Sequence, residues 1–356
     1  MSIKKFQKEL KAGEAFFISN SSNIHYFANF TGTNGQIFVT AKKAFLLTDF
    51  RYVRVAQKVL PKVISLIETK KSLAEELNKL IKKEKIQAVY FESTDLSHHR
   101  FEALKKNLNA KFLPKVMLPE KFRVIKTPEE LKLLTKAQRI AEKVFIEVRK
   151  NLKPGKTEEQ IAWEIEMLGH EFGADTISFP AIVGFGANSG SPHHQNSNKK
   201  LKKGDMVLID MGMKYQGYCS DMTRMIFTKK PTDLEAKIYN IVLDAQLEAI
   251  KHLKAGVKGS TGDAWSRDLI KKAGYGDTFG HSLGHGIGLD VHELPYLSTG
   301  FDQPIPEGTV VTVEPGIYLE NSFGVRIEDM VLVKRNNVVN LTNIPKRLKD
   351  CIFPLS

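Results

Sequence analysis

Two stretches of this chain place carboxylates inside apolar strand patterns. MVLIDMGMKYQGYCSDMTRMIF (206–227) and TVVTVEPGIYLENSFGVRIEDMVLV (309–333) each read as two strands joined by a polar turn, at 214–217 and at 320–324. Asp210 and Asp221 lie in the first, and Glu314 and Glu328 in the second. A turn near the middle of the first stretch folds both aspartates to one site. A carboxylate is costly to bury unless it is paired, hydrogen-bonded or metal-bound. Any fold containing these strands must therefore gather its acids around something positive.

A fifth residue fits the same site. His285 lies in GHSLGHGIG, where glycines allow close approach of backbone and imidazole. Four carboxylates and one imidazole make an oxygen-rich donor set suited to Mn²⁺, Co²⁺, Fe²⁺ or Zn²⁺. Two divalent ions balance four negative charges, whereas one would leave strong repulsion. Ordinary explanations exist for each residue alone: Asp221 could pair with Arg224, and Glu328 with Arg326. Five such coincidences together are improbable.

The rest of the chain organises around these stretches. With 356 residues, two domains are expected. In the first part, AFFISN, GQIFVT and KAFLLTDF read as strands, with further strands at 87–91 and 112–118. Helices are expected at 51–59, 72–83 and 96–108. This is a mixed-sheet α/β domain over 1–120, followed by a second domain over 121–356. TPEELKLLTKAQRIAEKVFIEVRKNLKPG predicts one long helix, capped by Thr127 and ended by Gly155. A helix over 157–172 follows, and two more are expected at 233–253 and 262–273. The order helix, helix, hairpin occurs twice between 128 and 340, which hints at internal duplication.

Bulk properties narrow the class. The net charge of +13 invites a nucleic-acid reading. The excess is concentrated in residues 1–120, with 21 basic against 11 acidic side chains. It lies in helical stretches with few aromatics, so solvated helix faces are expected and no nucleic-acid partner. No apolar run approaches a membrane span, and the charged start lacks the pattern of a signal peptide. With only Cys219 and Cys351, there is no disulfide framework. A cytoplasmic protein is expected.

VLIDMGMKYQGYCSDMTRMI, GHSLGHGIGLDVHE, TVEPGIY and GVRIEDMVLV together resemble the pita-bread metallopeptidases: methionine aminopeptidase, aminopeptidase P and prolidase. The resemblance covers about 121–330. It implies a pita-bread catalytic domain preceded by a smaller creatinase-like one. It also implies a metal set of Asp210, Asp221, His285, Glu314 and Glu328, with Asp221 and Glu328 bridging the ions, Mn²⁺ foremost. His193, in SPHHQNSN, matches the histidine near the scissile peptide, with its neighbour His194 as the alternative. His292 matches the histidine at the tetrahedral intermediate. His281 and Arg326 match substrate-side residues of the proline-directed members. Cys219 and Met211 are read as packing residues.

By this resemblance the reaction is metal-dependent peptide hydrolysis. Glu314 carries the proton to the leaving nitrogen, His292 supports the oxyanion and His193 positions the peptide. The extra first domain, the pairing of His292 with Arg326, and the opening HYFANFTGTNGQIFVTAKKAFLLTDFRY favour the proline-directed branch. The expectation is an Xaa-Pro aminopeptidase of the aminopeptidase P type, acting on short peptides with proline second and forming a homodimer. The alternative is an Xaa-Pro dipeptidase. Methionine aminopeptidase and a non-catalytic relative are more distant readings, and the intact ligand set argues against creatinase itself.

Overall fold

The computed structural model describes residues 3–355. The chain divides into two compact units after Arg123. Both mix helices and sheet, as the sequence implies.

Six strands form the sheet of the N-terminal unit: β1 (Glu14–Ile18), β2 (Gly35–Thr40), β3 (Ala44–Thr48), β4 (Ile64–Glu68), β5 (Ala88–Glu92) and β6 (Lys111–Lys115). Their spatial order is β4-β3-β2-β1-β5-β6. The first three form an antiparallel meander, and the others add in parallel. Helix Leu73–Lys83 packs Leu77, Leu80 and Ile81 into a core with Phe17, Phe38 and Leu47. Its Lys79, Lys82 and Lys83 are exposed, the arrangement expected of a solvated helix face.

Two elements here were not legible in the sequence. SSNIHYFA has only Ala28 as a strong helix former, yet Ser21–Ala28 is a helix. Asn20 accepts from the Asn23 N–H at its start, and Asn29 adopts a left-handed φ of 54° at its end. The edge strand β4 buries only Ile64, so it lacks the alternation that marks a half-buried strand.

Two helices open the C-terminal unit. Thr127 and Glu130 form a capping box for Pro128–Lys150, and Thr157 and Gln160 another for Glu158–Glu171. The first helix stops at Lys150, short of the expected end at Gly155. Pro154 disfavours helical geometry at the residue before it and has no N–H to donate.

Next come β7 (Thr176–Ile177), β8 (Ile182–Phe185), β9 (Met206–Met211), β10 (Met213–Tyr215), β11 (Tyr218–Cys219) and β12 (Met222–Phe227). In the sheet β12-β9-β8, Asp210 lies opposite Thr223. Alternate β9 residues serve two cores. Val207 and Ile209 pack with Ile140, Ile161 and Ile165, while Leu208 packs with Val242, Val311 and Val313 on the other face. The connection from β9 to β12 is more elaborate than the simple turn expected. At Gly212 the chain leaves this sheet, and β10 and β11 form a small ribbon with β7. Only glycine fits that crossing, because a Cβ at 212 would lie 1.9 Å from the Ser220 carbonyl oxygen.

Helices Asp233–His252 and Gly259–Lys272 follow, then β13 (Gly284–Gly286), β14 (Glu293–Leu297), β15 (Val310–Val313), β16 (Gly316–Leu319), β17 (Phe323–Arg326), β18 (Asp329–Val333) and β19 (Val338–Asn340). The helix, helix, hairpin order thus recurs. The second carboxylate-bearing stretch divides into two ladders where a single hairpin was expected. One pairs β15 with β18 and ends at Val313 opposite Asp329, and the other pairs β16 with β17 from Gly316 opposite Arg326. Pro315 cannot donate to a ladder, and Glu314 and Glu328 fall in the gap. Among the described residues no helix is long and apolar enough to cross a membrane.

Candidate active site

Strand ends and breaks bring the five expected residues to one cavity of about 460 Å³ in the C-terminal unit. Asp210 comes from β9, Asp221 immediately precedes β12, His285 is the middle residue of β13, and Glu314 and Glu328 come from the ladder gap. All except Glu314 are buried. Ligand atoms of Asp221, His285 and Glu328 lie within 4.8 Å of one another. His285 Nε2 is 3.1 Å from Glu314 Oε1 and 3.7 Å from Asp221 Oδ2.

Hydroxyls and glycines orient this set. Thr223 Oγ1 donates to Glu328 Oε2 at 2.8 Å, and Thr312 Oγ1 to Glu314 Oε1 at 3.0 Å. Thr312 Oγ1 also accepts the His285 N–H at 3.0 Å. At Gly284 a Cβ would lie 2.0 Å from the Thr312 carbonyl oxygen, so only glycine lets this strand approach. Behind the site, Arg224 donates to the carbonyls of Thr223 and Glu328 and pairs with Asp329 at 2.6 Å. Its partner is thus Asp329, which frees Asp221 for the cavity.

Three of the acids keep one unsatisfied oxygen each. Asp210 Oδ1, Asp221 Oδ1 and Glu328 Oε1 are buried without a hydrogen-bond partner. Burial, then repulsion from neighbouring carboxylates, holds Asp221 and Glu328 well above the usual range. Burial also raises Asp210, against the opposing pull of Arg326. Glu314 behaves oppositely: burial would raise it, but the His285 hydrogen bond and charge, with His281 and Arg326, hold it down to about 2. For His285, burial is outweighed by Glu314 and the net shift is upward. Orphaned carboxylate oxygens converging beside an imidazole are a donor set that divalent cations would satisfy.

Arg326 pairs with Asp210, its Nη2 lying 2.5 Å from Oδ2, and not with Glu328. It also donates to Tyr318 Oη at 2.7 Å and to Thr223 Oγ1 at 3.0 Å. An arginine only donates, so the Tyr318 hydrogen is available to His281 Nε2, 3.0 Å away. That leaves His281 Nδ1 to donate to the Ser282 carbonyl at 2.8 Å. Burial lowers the pKa of His281, favouring this neutral form.

His193 lines the cavity, while His194 turns away to Glu158, with Nε2 2.8 Å from Oε2. His292 packs edge-on against His285 with ring centroids 4.3 Å apart. Burial, then the His285 charge, lowers its pKa. Phe179, Ile182, Val291 and Tyr296 form an apolar wall. Cys219 is buried away from the cavity lining, donates to the Leu289 carbonyl and is pushed up to about 11, chiefly by burial. Met211 is fully buried in the core.

Sequence reasoning missed Tyr318, Thr223 and Thr312. For Thr223 a signal existed: it lies two residues after Asp221, hence on the same strand face. Tyr318 reaches Arg326 across the β16–β17 hairpin, so the expected turn at 320–324 already carried its signal.

Comparison with known proteins follows the same outline. The family model described as metallopeptidase family M24 matches residues 132–335, and that of the creatinase/prolidase N-terminal domain matches 3–125. The chain is similar to an Xaa-Pro dipeptidase structure from Bacillus anthracis, at 40% identity and TM-score 0.92 over 95% of this chain and 94% of that one. An X-Pro aminopeptidase structure from Thermotoga maritima shares 35% identity at TM-score 0.90, covering 98% and 100%. A curated Xaa-Pro dipeptidase of Pyrococcus horikoshii is 36% identical over 94% of each chain. The chain therefore belongs to metallopeptidase family M24, with the N-terminal domain shared by creatinases and prolidases.

Proposed function

We propose that the protein is a dinuclear-metal Xaa-Pro dipeptidase. The observation that carries the metal reading is the trio of buried, unpartnered oxygens on Asp210, Asp221 and Glu328. Asp210, Asp221, His285, Glu314 and Glu328 would hold two divalent ions, and Mn²⁺ suits so oxygen-rich a set. Bound there, the ions supply Lewis acidity and a nucleophile at neutral pH.

The chain's own groups do the rest. Glu314 accepts a proton and passes it to the leaving proline nitrogen. His292 donates to the developing oxyanion. His193 orients the peptide from the cavity wall. Arg326 and His281, linked through Tyr318, form the substrate-side polar edge. The apolar wall receives uncharged parts of the peptide, and the cavity is in the size range of small-ligand sites.

The aminopeptidase P expectation yields here to its alternative. Dipeptidase relatives at 40% and 36% identity support dipeptide cleavage. The Thermotoga maritima enzyme keeps the aminopeptidase reading as a second one. A homodimer remains part of the proposal. The test is a hydrolysis panel of Ala-Pro, Ala-Pro-Ala and Met-Ala-Ala with and without chelator. Cleavage confined to Ala-Pro and dependent on metal is expected. Comparable kcat/KM on Ala-Pro-Ala establishes the second reading, and preference for Met-Ala-Ala overturns both.

A further inference from the structure

Glu158, the first residue of helix Glu158–Glu171, is a fully buried acid far in sequence from the metal set. Its carboxylate accepts five hydrogen bonds. Oε1 takes the Phe185 N–H at 2.9 Å and Asn188 Nδ2 at 2.8 Å. Oε2 takes His194 Nε2 at 2.8 Å, the Ser197 N–H at 3.0 Å and Ser197 Oγ at 2.6 Å. All the donors lie between 185 and 197. Beyond Phe185, the last residue of β8, that segment holds only a short 3₁₀ turn, Gly186–Gly190, and no strand follows until Met206. One carboxylate therefore ties both ends of an irregular loop.

The loop carries His193 to the cavity. No hydrogen bond holds the His193 ring among the described residues, so its place depends on its neighbours. Besides Glu158, Ser189 Oγ accepts the Gly324 N–H at 3.0 Å and the Pro192 carbonyl accepts from Arg326 at 3.5 Å. Burial alone would raise the pKa of Glu158, but the Ser197, His194, Phe185 and Asn188 donors outweigh it and the net shift is downward. The group thus keeps two acceptor oxygens at neutral pH. A glutamine would turn an N–H₂ group toward donors on one side or the other.

We propose that Glu158 is the positioning residue of the His193 loop, and that peptide binding depends on its charge whereas metal binding does not. The inference rests on the peptidase reading of the cavity. No metal-set residue lies between 185 and 197, so loosening this loop should leave the metal set intact. A displacement of about 1 Å at a substrate-positioning group costs up to about 100-fold in kcat/KM, and lost substrate binding appears in KM.

The test compares metal-loaded wild type with Glu158→Gln, His193→Ala and the double variant on Ala-Pro. KM should rise about tenfold in either single variant, with kcat and bound metal little changed. The double variant should be no worse than His193→Ala within about twofold, because Glu158 acts through that residue. Hydrogen exchange supplies a readout independent of catalysis. Amides of 185–197 should lose about tenfold protection in Glu158→Gln, while those of β9 and β12 keep theirs. Unchanged loop exchange, additive effects in the double variant, or loss of metal with collapse of kcat would each overturn the proposal. Should Glu158→Gln fail to fold, Ser197→Ala removes the shortest bond without altering the buried charge, and about a threefold KM rise with faster loop exchange is expected. If wild type cleaves no Xaa-Pro peptide, the functional reading fails, while the exchange result still decides the clamp.

Discussion

Replacing Asp221 by asparagine should move stability in opposite directions with and without metal. Ligand atoms of Asp221 and Glu328 lie within 4.8 Å of each other. Were both ionised, two like charges at that separation would repel by about 3.5 kcal/mol at an effective dielectric constant of about 20, an upper bound that proton uptake by one acid lowers. An amide at 221 removes this repulsion, and its N–H₂ can donate to the orphaned Glu328 Oε1. The metal-free variant should therefore gain up to about 3 kcal/mol, or roughly 6–12 °C in Tm for a unit of this size. The metal-loaded wild type gains stability by mass action, about 4 kcal/mol at free metal a thousandfold above Kd. The variant should forfeit most of that, because a neutral amide is a poor substitute for a carboxylate ligand. Calorimetry of both proteins, stripped with chelator and then reloaded with Mn²⁺, gives the four Tm values needed. The reasoning is refuted if Asp221→Asn lowers Tm equally in both states, or if it binds metal as tightly as wild type.

Glu328→Gln should cost more activity than Arg326→Ala, at least about 100-fold against about tenfold. Metal analysis should show the ions lost in the first and retained in the second, with KM raised in the second. Both cysteines are buried and burial raises both thiols, so alkylating reagents at pH 8 should leave native activity intact and label Cys219 and Cys351 only after unfolding. Glu158→Gln should lower stability at neutral pH by about 2 kcal/mol through its unmade hydrogen bonds. The folded pKa of Glu158 is depressed, so its contribution is present above the ordinary glutamate pKa and lost as pH falls through the folded value. The gap in Tm should accordingly narrow as pH falls below the ordinary glutamate range.

How far the sequence revealed this molecule depended on whether a feature was local. Thr127 announced the long helix because capping chemistry is contained within a few residues. The acids were legible because carboxylates in apolar strands need a partner, and the structure gathers all five candidate ligands in one cavity. The breaks in the strands were less visible. Pro315 and Gly212 were present in the sequence, but only pairing registers reveal that one divides a ladder and the other permits a crossing. The choice between His193 and His194 depended on Glu158, 36 residues away from His194, and no periodicity reports such a contact. For Tyr318 the hairpin to Arg326 was legible in the turn at 320–324, but its contact with His281, 37 residues away, was not.

The central claim is that the five-residue set holds two ions on which hydrolysis depends. Its most direct test is a titration of chelator-stripped protein with Mn²⁺, following Ala-Pro hydrolysis and bound metal by elemental analysis on the same samples. The account predicts no activity in stripped protein, a rise that saturates with two ions per chain, and no such rise in Asp221→Asn. Full activity in protein shown to be free of metal would contradict it.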